Sequence, residues 1–283
     1  MSSLLTNGFA SLSDLSDPDL RAAMKELTEF QDSFLGTGPH DPGYPWPPDA
    51  LHWWSRVWEY PYVWTNLQSL TSNGSNSNGA TILDFGSGVT AFPFFVAKKL
   101  NKDVVCMDTD GSFAGSIART ARALGVGGHV SFLQDTDGPL PMKDASVGCV
   151  YSVSVLEHIP EANRLLGEFH RILNPGGILV LTMDVSLRLQ DTGISAAEYR
   201  RIHESLFRFF DPVNARRPVH PTDVLTSQNS PLPIRKSAPF RTKIKTGSRL
   251  FLENRLPGRP KILPWWKSLL CCDGFVGRKR AHL

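Results

Sequence analysis

Cysteine is scarce in this chain of 283 residues, which has four, at positions 106, 149, 271 and 272. No two of them have the CxxC spacing of a structural zinc site, so we predict no metal. Two of the thiols lie within apolar, strand-like stretches. This favours buried, reduced cysteines and a cytoplasmic location.

Long hydrophobic runs are also missing. No apolar run approaches the roughly 20 residues that a membrane-spanning helix requires. Residues 1–19 contain no lysine or arginine, whereas signal peptides begin with a basic segment and mitochondrial presequences are rich in arginine. We therefore expect no transmembrane segment, signal peptide or presequence.

The bulk composition is that of a globular protein, with 41% apolar and 20% charged residues. The charge is unevenly distributed, because residues 185–283 hold 19 of the 30 lysines and arginines and 7 of the 27 acidic residues. A basic region of this kind attracts an anionic ligand or a nucleic acid, or forms a solvated face that balances an acidic N-terminal part.

Three parts follow one another along the chain. Residues 1–80 are an N-terminal extension with an aromatic helix and a flexible link, TSNGSNSNG, at 71–79. Residues 81–184 are the predicted ligand-binding core. Residues 185–283 are the C-terminal part of the fold, with an insertion on the substrate side. In the extension, four apolar residues recur at the spacing of an amphipathic helix packed on the core, namely Trp53, Val57, Tyr60 and Trp64.

Strand-like and helix-like segments alternate in the core, which is typical of a parallel sheet covered by helices. Strands are predicted at 81–85, 103–107, 129–133, 147–155 and 177–183. Three helices are predicted. The first covers 91–100 and is capped by Thr90, the second begins after a cap at Asp110, and the third covers 161–173. Further along, residues 195–210 are predicted to be a helix and 268–279 a last strand at the sheet edge. The fold class is α/β and doubly wound.

The stretch ILDFGSGVTAFPFF, residues 82–95, places Asp84, Gly86 and Gly88 where a strand ends and a helix begins. Glycines there let the backbone lie against a ligand, and a helix N-terminus offers free N–H groups. Asp108 ends the next strand, near the spacing at which an acid reaches ribose hydroxyls, and Asp135 follows the third strand. Acids at the ends of neighbouring parallel strands predict a nucleoside-binding crevice.

Two phosphate-binding signatures are absent from the sequence. The dinucleotide fingerprint GxGxxG is not present after the first strand, and no GxxxxGK[ST] loop occurs. An aspartate just before the glycines suits a ligand that carries an ammonium group, because a carboxylate would repel a pyrophosphate.

Residues 81–184 resemble the core of class I S-adenosylmethionine-dependent methyltransferases. The resemblance rests on LDFGSGVT, VCMDTD, FLQDTD, VGCVYSVSVLEHIP and HRILNPGGILVLT, which follow the order of that family's motifs. It implies a Rossmann-like, seven-stranded, mostly parallel sheet and S-adenosyl-L-methionine as cofactor. A threonine, Thr90, stands where the family often has a third glycine.

The resemblance also implies roles for individual residues. Asp84 and the backbone of Phe85, Gly86 and Gly88 would hold the methionine moiety, which Ser152 would line. Asp108 would accept hydrogen bonds from both ribose hydroxyls. Three further residues would contact or flank the adenine, namely Thr109, Asp135 and Thr136.

Residues around the acceptor are less tightly specified. Glu157 and His158 follow the fourth strand, where the family places substrate-facing groups, so either is a candidate general base. A structural or cofactor-orienting role stays open for both. Arg56 is a candidate partner for the cofactor's carboxylate, and Tyr60 and Tyr62 are candidates to line the acceptor pocket.

The predicted function is methyl transfer to oxygen or nitrogen of a small metabolite or natural-product intermediate. An anionic acceptor is favoured by basic residues, namely Arg200, Arg201, Arg216 and Arg217, and a solvated helix face is the alternative. Three other functions stay open: a nucleic-acid methyltransferase, a cofactor-binding partner protein without catalysis, and another reaction such as aminopropyl transfer. The sequence does not indicate the oligomeric state.

Overall fold

One sheet of eight strands organises the residues that the computed structural model describes, namely 2–38, 49, 51–72, 81–136, 138–188, 192–232 and 268–281. In chain order the strands are β1 (Gly8–Phe9), β2 (Thr81–Phe85), β3 (Val104–Asp108), β4 (Val130–Gln134), β5 (Val147–Val153), β6 (Leu173–Ser186), β7 (Phe210–Pro212) and β8 (Leu270–Lys279). Across the sheet the order is β1-β8-β6-β5-β2-β3-β4, and β7 also pairs with β8.

The centre of the sheet is parallel. Strand β2 pairs in parallel with β3 and β5, β3 pairs with β4, and β5 pairs with β6. Strand β8 runs antiparallel to β6, and β1 and β7 run antiparallel to β8. The predicted α/β fold with a mostly parallel sheet is therefore confirmed, with one strand more than the seven expected.

Helices cover both faces of this sheet. They are α1 (Pro18–Gly36), α2 (Arg56–Ser72), α3 (Phe92–Leu100), α4 (Phe113–Ala123), α5 (Ala162–Ile172) and α6 (Ala196–Phe209). Buried residues of the first four helices join one hydrophobic cluster with the sheet, and those of α5 and α6 join a second. In α5 the buried face consists of residues three or four apart, Leu165, Phe169 and Ile172, as an amphipathic helix requires.

The connections leave a crevice at the carboxyl ends of the parallel strands. From β2 the chain moves to β3 and β4 on one side of the sheet, and β5 and β6 lie on the other side. The loops that follow β2 and β5 therefore diverge. A reversal of strand order of this kind is the usual place for a ligand site in an open α/β sheet.

Two predicted helix caps differ from the structure. Helix α3 begins after Ala91 and α4 after Ser112, and neither start has a side-chain cap hydrogen bond. Asp110 instead accepts a hydrogen bond from the Ser112 amide at 3.0 Å, because an aspartate readily bonds the backbone two residues on and forms a turn ahead of the helix. Helix α6 does have a full capping box, formed by Ser195 and Glu198.

The N-terminal extension shares its core with the sheet. Phe34 of α1 and Trp58 of α2 are buried in the same cluster as strand residues such as Tyr151. Strand β1 adds directly to β8. The division of the chain at residue 80 stays a prediction. Residues 73–79 of the proposed link and residues 233–267 lie outside the described part of the chain.

Candidate functional site

A cavity of about 530 Å³ lies at the carboxyl ends of the central strands. It is lined by residues at or beyond the ends of β2, β3, β5 and β6, and by the start of α2. The acids that the sequence places at successive strand ends, namely Asp84, Asp108 and Asp135, all line it. The predicted strand-end acids therefore meet in one cavity, and nucleoside binding there stays a prediction.

The glycine turn after β2 has backbone angles that favour glycine. Gly86 has a φ of 73° and Gly88 a φ of 52°. A Cβ atom on Gly86 would lie 2.3 Å from a methyl carbon of Val155, which is closer than real contacts allow. Gly86 is thus needed for the conformation of the turn and for the close approach of the loop after β5, whether or not a ligand also contacts it.

Two of the strand-end acids differ in their surroundings. Asp84 is 4% exposed, and burial raises its pKa to about 8, an effect that the charge of Asp108 adds to and the Tyr151 hydroxyl opposes. Asp108 accepts a hydrogen bond from the Gly88 amide at 2.9 Å. This bond fixes the glycine turn against the end of β3 and holds one carboxylate oxygen of Asp108.

Helix α2 supplies one wall of the cavity. Its Arg56 forms an ion pair with the fully buried Glu59 and donates a hydrogen bond to the Ser154 hydroxyl at 2.9 Å. The guanidinium lies 5.9 Å from the ring centre of Tyr60, and that ring stacks on Phe92 at 4.7 Å. Arg56 and Tyr60 both line the cavity. The pairing of Arg56 with the cofactor's carboxylate and the contact of Tyr60 with the acceptor stay predictions.

Two further carboxyl groups, those of Glu157 and Asp184, line the cavity. Both carboxylate oxygens of Glu157 are buried and have no hydrogen-bond partner among the described residues, and burial holds its pKa well above the ordinary range. Asp184, near the end of β6, also lines the cavity, and burial together with the charge of Glu59 raises its pKa to about 7. Burial, assisted by Arg56, lowers the pKa of His158, which favours the neutral imidazole.

Three predicted site residues are not among those that line the cavity. Ser152 is fully buried and donates a hydrogen bond to the Phe85 carbonyl at 2.9 Å, which ties β5 to the end of β2. Tyr62 is fully buried and stacks on Trp58 with ring centres 4.6 Å apart. Thr136 is exposed beyond Asp135. The remaining predicted residues line the cavity, Phe85, Thr109 and His158 included.

The match to known families agrees with this geometry. Residues 83–181 match the family model described as a methyltransferase domain. The chain contains a methyltransferase domain. This segment spans β2 to β6, the parallel centre of the sheet, and confirms the resemblance drawn from the motifs.

Curated relatives match part of the chain. An "uncharacterized methyltransferase" of Mycobacterium ulcerans is 33% identical over 119 residues, 42% of this chain and 44% of the relative. The ubiquinone/menaquinone biosynthesis C-methyltransferase UbiE of Brucella anthropi is 30% identical over 118 residues, 41% of this chain and 44% of the relative. The chain thus spans less than half the length of these relatives.

Solved structures share the fold over most of the chain. The [4+2]-cyclase SpnF superposes with a TM-score of 0.55 at 19% identity, covering 91% of this chain and 93% of its own. A geranyl diphosphate methyltransferase in complex with S-adenosylmethionine superposes with a TM-score of 0.51 at 13% identity, covering 97% and 98%. At these identities the likeness to both structures concerns the fold alone.

Several residues of the cavity were not predicted from the sequence. Asp184 follows the fifth predicted strand, so the rule that selected Asp84 and Asp108 also selects it. Glu59, which pairs with Arg56 next to the cavity, carries no such signal, because its position depends on the docking of α2 on the sheet. In the part of the chain that the structure describes, no helix has the length and apolar character needed to cross a membrane.

One group of side chains near the methyltransferase domain has the composition of a metal site. Ligand atoms of Glu59, Asp184 and Cys272 lie within 4.8 Å of one another. The Cys272 thiol is 3.4 Å from an Asp184 carboxylate oxygen. Burial raises the pKa of Cys272 well above its ordinary value, and the thiol donates its hydrogen bond to Asp184.

Proposed function

We propose that the protein is an S-adenosylmethionine-dependent methyltransferase that methylates an oxygen or nitrogen atom of a small-molecule acceptor. One observation carries the proposal: the glycine turn and the strand-end acids Asp84 and Asp108 meet in one cavity at the point where the strand order reverses. The glycine turn and both acids lie within residues 83–181, the segment that matches the methyltransferase domain.

The residues of this cavity fit the proposed cofactor. Asp108 ends β3 at the distance along the chain at which an acid meets ribose hydroxyls. Thr109 and Asp135 line the same cavity and would flank or contact the adenine. The turn from Phe85 to Gly88 and the buried Asp84 would hold the methionine end. When bound, S-adenosylmethionine supplies an electrophilic methyl group on a sulfonium.

The chain itself would position the acceptor and exclude water. Methyl transfer needs an in-line approach of the nucleophile, and a drier site favours a reaction that neutralises charge. Apolar and aromatic side chains line the cavity beside the polar groups, among them Trp53, Trp54 and Phe92. Glu157 and His158 are the candidate bases, and a base is required only where the nucleophile must lose a proton.

The arginines that favoured an anionic acceptor do not line the cavity. Arg216 pairs with the buried Asp273 at 2.9 Å, and Arg217 pairs with the buried Asp14 at 2.8 Å. Arg200 and Arg201 are exposed on α6. Within the described residues, Arg216 and Arg217 therefore pair with buried acids and Arg200 and Arg201 lie on the surface, so none of the four provides a contact for an anionic acceptor inside the cavity.

The likeness to SpnF makes a second reaction class worth testing. A fold alone does not determine the chemistry that it hosts, and SpnF is described as a cyclase. The test is incubation of the full chain with methyl-labelled S-adenosylmethionine and fractionated metabolites, followed by mass analysis. Transfer of the label to a small molecule, lost in Asp108→Ala, supports the proposal. Cofactor binding without transfer to any fraction contradicts it and favours a non-methylating role.

A further inference from the structure

The half of the cavity between α2 and β6 contains more acidic groups than basic ones. The titratable groups that line it are Arg56 and Tyr60 of α2, Asp84 of β2, Tyr151 of β5, Glu157 and His158 of the turn after β5, and Asp184 of β6. Glu59 of α2 and Cys272 of β8 lie next to this lining, where they contact Arg56 and Asp184. Among these described groups, Arg56 is the one that carries a positive charge at every relevant pH.

Arg56 is already engaged by one of the three nearest carboxylates. Glu59 forms the ion pair with Arg56 and accepts a hydrogen bond from the Ser154 hydroxyl at 2.6 Å. Asp184 has a contact with the Cys272 thiol at 3.4 Å. Glu157 has two buried carboxylate oxygens with no partner among the described residues. Two acids thus face the cavity without a cation of their own.

Unpaired buried carboxylates are unfavourable, and they are found where a ligand completes the pairing or where the group takes up a proton. The rings of Tyr60, Trp53 and Trp54 also line the cavity. Carboxylates combined with aromatic faces suit an organic ammonium group. A hard metal ion would instead need several oxygen ligands, and the Glu59 oxygens are already bonded to Ser154 and Arg56.

We infer that the acceptor carries a protonated amine, which binds between Glu157 and Asp184 and is methylated on nitrogen. The inference rests on the proposed function and names the substrate class of that site. It also agrees with the acids that line the acceptor half of the cavity, where none of the described basic residues of the C-terminal third lies.

The reaction balances with the groups present. An ammonium has no free electron pair, so it first passes one proton to the carboxylate of Asp184 or Glu157. The neutral nitrogen then forms a bond to the methyl carbon while the carbon–sulfur bond breaks, and the electron pair of that bond goes to sulfur. The products are a methylated ammonium group and S-adenosylhomocysteine, and the carboxylate keeps the first proton until solvent removes it.

The test compares matched fragments on the full chain saturated with S-adenosylhomocysteine. The probes are benzylamine, benzyl alcohol and benzoate, and the linear set hexylamine, hexanol and hexanoate, with binding followed by ligand-observed NMR. We expect the amines to bind at least about tenfold more tightly than the alcohols, and about tenfold corresponds to the strength of one charged contact. The double variant Glu157→Gln/Asp184→Asn should lose this preference and still bind the alcohols.

The control variant is Glu161→Gln, an exposed acid that pairs with Arg164 outside the cavity. It should keep the amine preference. Equal binding of amines and alcohols, preferred binding of the carboxylates, no amine binding, or an amine preference that survives in the double variant overturns the inference. Calorimetry with S-adenosylhomocysteine distinguishes a failure of this inference from a failure of the proposed function. Binding of that ligand without an amine preference removes this inference alone, whereas failure to bind it removes the proposed function as well.

Discussion

Replacing Asp184 with asparagine should stabilise the ligand-free protein. Asp184 lies near the end of β6 with Glu59 and Glu157 nearby, and its pKa is raised to about 7, first by burial and then by the charge of Glu59. Asparagine keeps the shape of the side chain and can still accept the hydrogen bond from the Cys272 thiol. The substitution therefore removes an unfavourable charge with little change in packing.

The magnitude follows from the pKa difference between the folded and unfolded chain. Against an ordinary value of 3.8, the folded value lies about three pH units higher, and each unit corresponds to about 1.4 kcal/mol. The folded state thus holds the proton to higher pH than the unfolded state does. Ionisation of Asp184 costs nothing below pH about 4, and its cost grows to about 4 kcal/mol as pH rises to about 7. Relaxation of the surroundings lowers this figure, so we expect a gain of about 2–4 kcal/mol at pH 8.

The assay is urea-induced unfolding of wild type and Asp184→Asn at several pH values between 4 and 8. The two free energies of unfolding should agree at the acidic end and separate progressively in favour of the variant. Asp32→Asn is the control, because Asp32 is exposed on α1 and its removal should change stability little at any pH. A variant less stable than wild type at pH 8, or a difference that does not depend on pH, would mean that no unfavourable charge resides on Asp184.

Three further substitutions test other parts of the site. Asp108→Ala should weaken S-adenosylhomocysteine binding by about 10- to 100-fold, since charge-assisted hydrogen bonds contribute about 1.5–3 kcal/mol; calorimetry measures this, and unchanged affinity contradicts it. Gly86→Ala should lower stability by about 2 kcal/mol or more in thermal denaturation, because alanine at a φ of 73° is strained and meets Val155; wild-type stability counts against the described turn. Arg56→Gln should lower stability by about 3 kcal/mol at neutral pH, because it leaves Glu59 buried without its cation, and the loss should shrink in acid; a pH-independent loss speaks against the ion pair.

The parallel centre of the fold could be predicted because its signals are local. Each strand of that centre is a short apolar stretch followed by a turn, and each helix repeats its apolar residues at helical spacing. The strand-end position of Asp84 and Asp108 then brings both into one crevice without further information. The same logic extends to Asp184, which follows the fifth predicted strand.

The acceptor side of the site depends on contacts between distant parts of the chain. Glu59 lies near Asp184 of β6 because α2 packs across the sheet, and the spacing of residues within α2 does not indicate which of its faces meets β6. Tyr60 and Tyr62 show the limit, since both are buried on one helix, yet Tyr60 lines the cavity and Tyr62 stacks on Trp58. Long-range packing therefore determines which of these two tyrosines lines the cavity, and the local sequence does not distinguish them.

A crystal structure of the full chain grown with S-adenosylhomocysteine would reveal whether the cavity is the cofactor site. We predict the ribose on Asp108, the adenine near Asp135 and the methionine end along the turn at Gly86, with the sulfur facing Glu157 and Asp184. A ligand bound elsewhere, or a crevice that remains filled by side chains of the protein while the ligand is present, would disprove the proposed site.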